Sequence, residues 1–480
     1  MGWGTIGASS RAILETVAHS LVPSPHTDSG AYPAHAWLAG VLPVGARRFR
    51  VSDRELAETL RDAGAELVET AAEVEIAALS ELHGEARLAI VSINTSAGGA
   101  LRLVRAGKRL VNSLLVFAES TRARRAIRER GYTTTIVIRW DVLQALRLPW
   151  LAEGPRSRRR LVERLPQRAL VVGATSKHGP TVLEAAAAEA SSAADIVIIP
   201  RPPLVRGGVL VMVAADAVLR IAIGPSRQEI DRQVAALQAL HAADVPASVA
   251  DRVPHMLGRG RSGLADWSLE RRLPGATPSR QLSHVLLREC VDFLVDLHSV
   301  RGSDPDISCA SLAEALVEVS APEFASTLRD VGVRLDRDLA DLPRGFGHGD
   351  FGRGNLLVEG DRLVGVIDWD GAGPGRLPLL GLLHLRLGAE YDPEDDEWGR
   401  TIVSRLLPWA DAGGDEIARD YCRRVGFEPH PQRLRALALA FWLDLVALHL
   451  RLHPFRRDDQ RWIARNIDGV VRSLGNGVHV

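Results

Sequence analysis

Cysteine is scarce in this chain. Three residues, Cys290, Cys309 and Cys422, are scattered over 480 positions, and none is spaced as a metal ligand. That argues against a disulfide framework and fits reduced thiols in a cytosolic protein. Excess charge is also lacking. Lys plus Arg and Asp plus Glu are both 59, so the net charge is zero. Nothing in that balance favours nucleic acid or an anionic membrane as a partner. Long apolar runs are absent too. The most apolar helix candidate, 434–450, is interrupted by Arg435 and Asp444 and is too short between charges to span a bilayer. No basic region precedes an apolar core near Met1, so no signal peptide is read there and the expectation is a cytoplasmic protein. No repeat of fixed period is present, and low complexity is confined to the Ala-rich stretch 184–190.

Several motifs are approached without being completed. Gly173-Ala174-Thr175-Ser176-Lys177-His178-Gly179 follows an apolar run, but it lacks the Gly-Lys-Ser/Thr ending of a phosphate loop. His449 and His453 share a helix face without the glutamate of a zinc-protease motif. The basic run 154–160 reads as a solvated linker that opens an Arg-rich helix.

The length implies more than one domain. Hydrophobic content of 46% and charged content of 25% are ordinary for a globular chain. Residues 1–153 read as an α/β accessory domain. Helices are expected at 53–64, 100–111 and 120–130, and strands at 86–93, 114–118 and 133–140. Strands alternating with helices imply a parallel sheet. The segment 110–140 faintly resembles the later strands of a Rossmann-type methyltransferase. The Gly-rich methyl-donor loop is missing, however, and 40–45 does not supply it, so no catalytic role is assigned to this domain. Residues 154–193 read as a connector with one strand and one helix, and 194–480 as a second domain.

That second domain holds the informative stretch. Gly347-His348-Gly349-Asp350-Phe351-Gly352-Arg353-Gly354-Asn355 sets an Asp and an Asn at the spacing HGDxxxxN, and Val366-Ile367-Asp368-Trp369-Asp370 ends an apolar run on a second Asp. Phosphoryl transfer needs these side chains. One carboxylate orients the attacking hydroxyl and takes its proton, while a carboxamide and another carboxylate hold magnesium against nucleotide phosphates. The intervening residues read as a hairpin, strand 355–358, turn 359–361 and strand 362–367, which sets Asn355 and Asp368 side by side at its open end.

On these motifs, roughly 195–474 resembles the aminoglycoside phosphotransferase and choline kinase-like family, whose fold is similar to that of protein kinases. The resemblance implies an α+β bilobal domain, with a small antiparallel-sheet N-lobe at 194–275 and a helical C-lobe at 276–480. It implies Asp350 as the catalytic residue, Asn355 and Asp368 as metal ligands, and His348 as a buried scaffold of the catalytic loop. Mg²⁺, ATP or GTP as co-substrate, and a small-molecule hydroxyl acceptor follow from the same resemblance, as does the loop 201–208 as a cover over the phosphates. Arg271 and Leu273 are expected to offer backbone groups to the base. In the family a Lys on the third strand pairs with a Glu on the next helix; here those positions hold Arg220 and Gln233, with Glu229 one turn earlier as a substitute. Arg for Lys is not conservative where a point charge must reach a phosphate. The alternative expectation is therefore a catalytically impaired, kinase-like binding or regulatory protein.

Overall fold

The computed structural model of the chain describes residues 42–52, 54–78, 88–92, 133–140, 167–173, 180, 182–189, 197–200, 209–213, 216–278, 282–300, 307–390, 398–452 and 454–475. The expected elements at 100–111, 114–118 and 120–130, the basic run 154–160 and the phosphate cover 201–208 lie outside the described residues.

The N-terminal part is built on six strands: β1 (Arg48–Val51), β2 (Glu66–Leu67), β3 (Val74–Ala78), β4 (Leu88–Ser92), β5 (Thr133–Trp140) and β6 (Gln167–Gly173), with helix α1 (Arg54–Asp62) after β1. Their order is β2-β1-β3-β4-β6-β5. The pairs β1–β2, β1–β3 and β3–β4 are parallel, as the alternation implies. The far side differs from expectation, because β6 inserts between β4 and β5 and runs antiparallel to both. Alternation signals that crossovers exist but does not fix the direction of a strand added from further along the chain. The segment 154–193, expected as a connector, thus supplies a sheet strand. It also supplies helix α2 (Val182–Glu189), whose Val182 and Ala186 are fully buried.

The next sheet is antiparallel throughout. Strands β7 (Val197–Pro200), β8 (Val209–Val213), β9 (Ala217–Ile223), β10 (Met256–Ser262) and β11 (Ala265–Arg271) lie in the order β10-β11-β9-β8-β7. Helix α3 (Arg227–Ala242) follows β9. The period of two along β9 divides its side chains. Ala217, Leu219, Ile221 and Ile223 pack in one cluster with Phe49, Leu56, Leu60, Val74, Ile76, Val182 and Ala186. Ala222 packs on the other face with Val209, Val211, Ile230 and Val234. The outer face of this sheet is therefore sealed by the N-terminal domain, and α3 covers the inner face.

Polar contacts pin the same junction. Arg261 Nη2 donates to the Ala63 carbonyl at 2.6 Å, just past the end of α1, where unpaired carbonyls favour a cation. Gly224 turns the chain after β9 with φ of 68°, and a Cβ there would lie 2.7 Å from the Thr59 backbone oxygen. Only glycine permits both the turn and the approach.

The remainder is largely helical around a single core cluster. Helix α4 (His284–Ser299) is capped by Ser283, which accepts from the Leu286 N–H at 3.1 Å. Helix α5 spans Leu380–Glu390, and the 22-residue α6 (Pro431–Leu452) runs through the core. The two charges that interrupt its apolar run are buried and paired, Arg435 with Asp411 at 2.7 Å and Asp444 with Arg376. Two small antiparallel pairs complete this part: β12 (Gly345–Gly347) with β15 (Gly373–Arg376), and β13 (Leu356–Glu359) with β14 (Arg362–Val366). Among the described residues no helix is long and apolar enough to cross a membrane.

Candidate active site

The hairpin expected from sequence forms, and Leu356 lies opposite Val366 at its open end. One further pair extends it, as the Ile367 N–H donates to the Asn355 carbonyl at 2.9 Å. Asn355 and Asp368 thus leave adjacent strands at the same level. Asp368 has φ of 68°, a left-handed conformation uncommon outside glycine, though Asp is among the residues that adopt it. Asn355 Nδ2 donates to the Asp350 carbonyl at 2.8 Å and to Asp350 Oδ2 at 3.1 Å. The Asp350 side chain is 62% exposed, open to a partner from solvent.

Beneath the loop, His348 accepts from the Asp350 N–H through Nδ1 at 3.2 Å, and its Nε2 lies 3.0 Å from the Ile367 carbonyl. A backbone N–H can only donate and a carbonyl can only accept, so the neutral ring with its proton on Nε2 satisfies both contacts. Burial holds the His348 pKa below its ordinary value, against the pull of Asp350. The rings of Trp369 and Phe351 pack against it at 4.5 and 5.9 Å. His348 is thus buried beneath the loop and bonded to it at Asp350 and to the strand end at Ile367.

Gly349 meets a tighter constraint. Its φ is 83°, and a Cβ would lie 2.1 Å from the Gly371 carbonyl oxygen. Gly349→Ala should destabilise the protein by on the order of 2 kcal/mol or more. The urea midpoint measures this, and a wild-type midpoint would contradict the packing described.

Arg220 is not a surface residue, being only 7% exposed. Its Nε donates to Glu270 Oε1 at 2.9 Å and its Nη2 to Asp368 Oδ1 at 3.1 Å. Burial opposes its charge, but the carboxylates of Glu270 and Asp368, with Glu229 behind them, outweigh burial and hold the guanidinium charged. Gln233 sits where the strand–helix register placed it. Its carbonyl oxygen accepts from the Trp369 N–H at 2.7 Å, and its Nε2 donates to Glu270 Oε2 at 3.0 Å. Arg220 is thus paired with Glu270 on β11 as well as with Asp368, where the expected substitute was Glu229 of helix α3. The missed signal was strand parity: Ser268 pairs with Arg220 across β9–β11, and Glu270 is the next residue on that face.

Arg271 and Leu273 sit where the chain leaves β11 for the helical part. The Arg271 N–H donates to the His255 carbonyl at 2.8 Å. The Leu273 side chain lies over Gly365 of β14, and the Ala276–Val358 bridge ties this crossing to the hairpin.

A residue the sequence did not single out also approaches Asp350. His384 of α5 is buried, with Nδ1 3.8 Å from Asp350 Oδ1, longer than a hydrogen bond. Burial lowers its pKa, as it does for His348. Both rings are thus neutral in the fold, whereas the unfolded chain protonates them near the ordinary histidine value of about 6.5. Below that pH the unfolded state binds more protons, so stability falls as pH drops. The melting temperature should decline from about pH 7 to about pH 5, and His384→Gln should flatten part of that slope. A slope unchanged in the variant would contradict the neutral assignment.

The donor set suits a hard cation. Asp368 and Asn355 offer carboxylate and carboxamide oxygens, and among the described residues no three His, Cys, Asp or Glu side chains cluster as a self-sufficient metal site. Two protein oxygens with phosphates and waters completing the shell is the arrangement Mg²⁺ adopts with nucleotides.

No curated protein matches the chain. Among solved structures it is similar to a thermostable mutant of aminoglycoside phosphotransferase APH(4)-Ia in ternary complex with ADP and hygromycin B, with 20% identity over 60% of this chain and 96% of that one and a TM-score of 0.39. It is also similar to APH(3'')-Id from Streptomyces rimosus, with 16% identity over 55% and 96% of the two chains and a TM-score of 0.36. The streptomycin–ATP–APH(2'')-IIa ternary complex gives 14% identity over 59% and 91%, with a TM-score of 0.37. Residues 209–377, which contain Arg220, Gln233, Glu270, Asp350, Asn355 and Asp368, match the model of the phosphotransferase enzyme family (APH).

Proposed function

We propose that this protein is a magnesium- and nucleotide-dependent O-phosphotransferase, moving the γ-phosphoryl group of ATP or GTP to a hydroxyl of a small molecule such as a sugar, an aminoglycoside or a related metabolite. The observation that carries the reading is the convergence of Asp350, Asn355, Asp368 and the charged Arg220 at the open end of one hairpin. The catalytic domain is taken as 194–480, with the division between lobes at 275–276.

Asp350 orients the acceptor hydroxyl and receives its proton, and its exposure leaves room for that partner. Asn355 and Asp368 hold the cation, which when bound neutralises charge on the transferring phosphates. Arg220 is fixed by two carboxylates, and its third nitrogen, Nη1, has no partner among the described residues, which suits it to a phosphate oxygen. Arg271 and Leu273 supply backbone groups at the base edge, and His348 keeps the loop in shape. Rate enhancement on this reading comes from positioning and charge stabilisation.

The test is ADP release by purified protein with magnesium and ATP, with and without a pool of sugars, amino alcohols and aminoglycosides. Stimulation by a member of the pool supports the reading and names the acceptor class. Nucleotide binding with no stimulation by any member supports a binding or regulatory protein on the same scaffold.

A further inference from the structure

We propose that Glu270, not a residue of helix α3, is the carboxylate that anchors Arg220 for phosphate contact, and that Gln233 carries this anchor to the segment holding Asp368. The inference rests on the phosphotransferase reading above and adds to it two positioning residues.

Glu270 is 3% exposed, and a buried carboxylate requires donors on both oxygens. It has them, with Oε1 taking Arg220 Nε and Oε2 taking Gln233 Nε2. Gln233 must then donate toward Glu270 and accept from the Trp369 N–H, and both contacts are made. A carboxylate accepts only and a backbone N–H donates only, so the orientation of the amide is fixed by its partners. Glutamate at 233 would set a second acceptor against Glu270, and an apolar residue would leave the Glu270 oxygen and the Trp369 N–H unpaired. Glutamine alone donates on one side and accepts on the other at this length.

The arginine follows from the same arrangement. Its contacts come from two directions, Glu270 on β11 and Asp368 after β14. A planar guanidinium reaches both with separate nitrogens and keeps a third, whereas a lysine ammonium on its flexible stem would not hold that fork. Arg220, Gln233 and Glu270 are therefore mutually consistent replacements that keep the strand cation anchored. Together they link β9, β11, α3 and the metal-binding segment in one line of hydrogen bonds.

The test moves the charge. Mg·ATP affinity by isothermal titration, and the melting temperature of the nucleotide-free protein, are measured for wild type, Glu270→Gln and the Glu270→Gln/Gln233→Glu double variant. Removing a charge-assisted anchor should weaken Mg·ATP binding by about tenfold or more in Glu270→Gln. The double variant restores net charge and every donor–acceptor match, with the carboxylate one position along, and should recover most of that loss. A lower melting temperature with unchanged affinity in Glu270→Gln overturns the anchoring role and leaves a structural one. A folded double variant no better than Glu270→Gln overturns the link through Gln233. Should neither variant fold, Arg220→Lys decides, since wild-type affinity there contradicts the fork and weakened affinity supports it. A wild type that binds no Mg·ATP overturns the phosphotransferase reading itself, and this inference with it.

Discussion

Asp350→Asn should lose about 10²- to 10⁴-fold in kcat, the range expected when a positioned general base is removed. Nucleotide affinity should stay near the wild-type value. The asymmetry follows from the contacts. Asp350 touches the loop itself, through Asn355 Nδ2 and the His348 ring, and makes no described contact with Arg220, Arg271 or Leu273, the residues assigned to the nucleotide. Asparagine has the same shape and still accepts from Asn355, so the loop should hold while the proton acceptor is gone. Steady-state kinetics beside equilibrium binding of Mg·ATP separates the two effects. Equal losses in kcat and in affinity would show a collapsed loop, and unchanged kcat would remove Asp350 from the chemistry.

Phe49→Ala should cost about 3–5 kcal/mol, the range for truncating a fully buried aromatic. Phe49 lies on β1 of the N-terminal sheet with no exposed surface, yet its cluster includes Leu219 and Ile221 of β9 and Trp267 and Leu269 of β11. The core under the N-terminal domain and the outer face of the five-stranded antiparallel sheet are one core. The expected result is therefore shared: hydrogen-exchange protection should fall together in β1–β3 and in β9–β11. Loss confined to β1–β3 would show that the two sheets open independently. A shared core also means that the strand carrying Arg220 is held from behind by residues far from the family motif.

What could be read from the sequence follows the range of the interactions. The hairpin, and the placing of Asn355 and Asp368 side by side at its open end, were legible because they lie within about 20 positions and obey local rules of turn and pairing. The Arg220–Glu270 pair was not, because residues 50 apart meet only through the β9–β11 register. His384 was hidden for a similar reason, as a histidine in the apolar run Leu382-Leu383-His384-Leu385 carries no sign of what its helix packs against. The covered outer face of the five-stranded sheet did leave a trace. β9 reads Ala-Val-Leu-Arg-Ile-Ala-Ile, apolar at nearly every position where a half-exposed strand would alternate. The segment 154–193 shows the same limit: Leu170, Val171 and Val172 make an apolar run that reads as a strand, without saying which strands β6 pairs with.

The central claim is transfer of a phosphoryl group to a hydroxyl with Asp350 as the proton acceptor. The measurement that tests it most directly is the mass spectrum of a pooled set of hydroxyl compounds after incubation with Mg·ATP and either wild type or Asp350→Asn. The account predicts that one class of compound gains a single phosphoryl group with wild type and not with the variant. An unmodified pool, with ADP released at the same rate by both proteins, would contradict it.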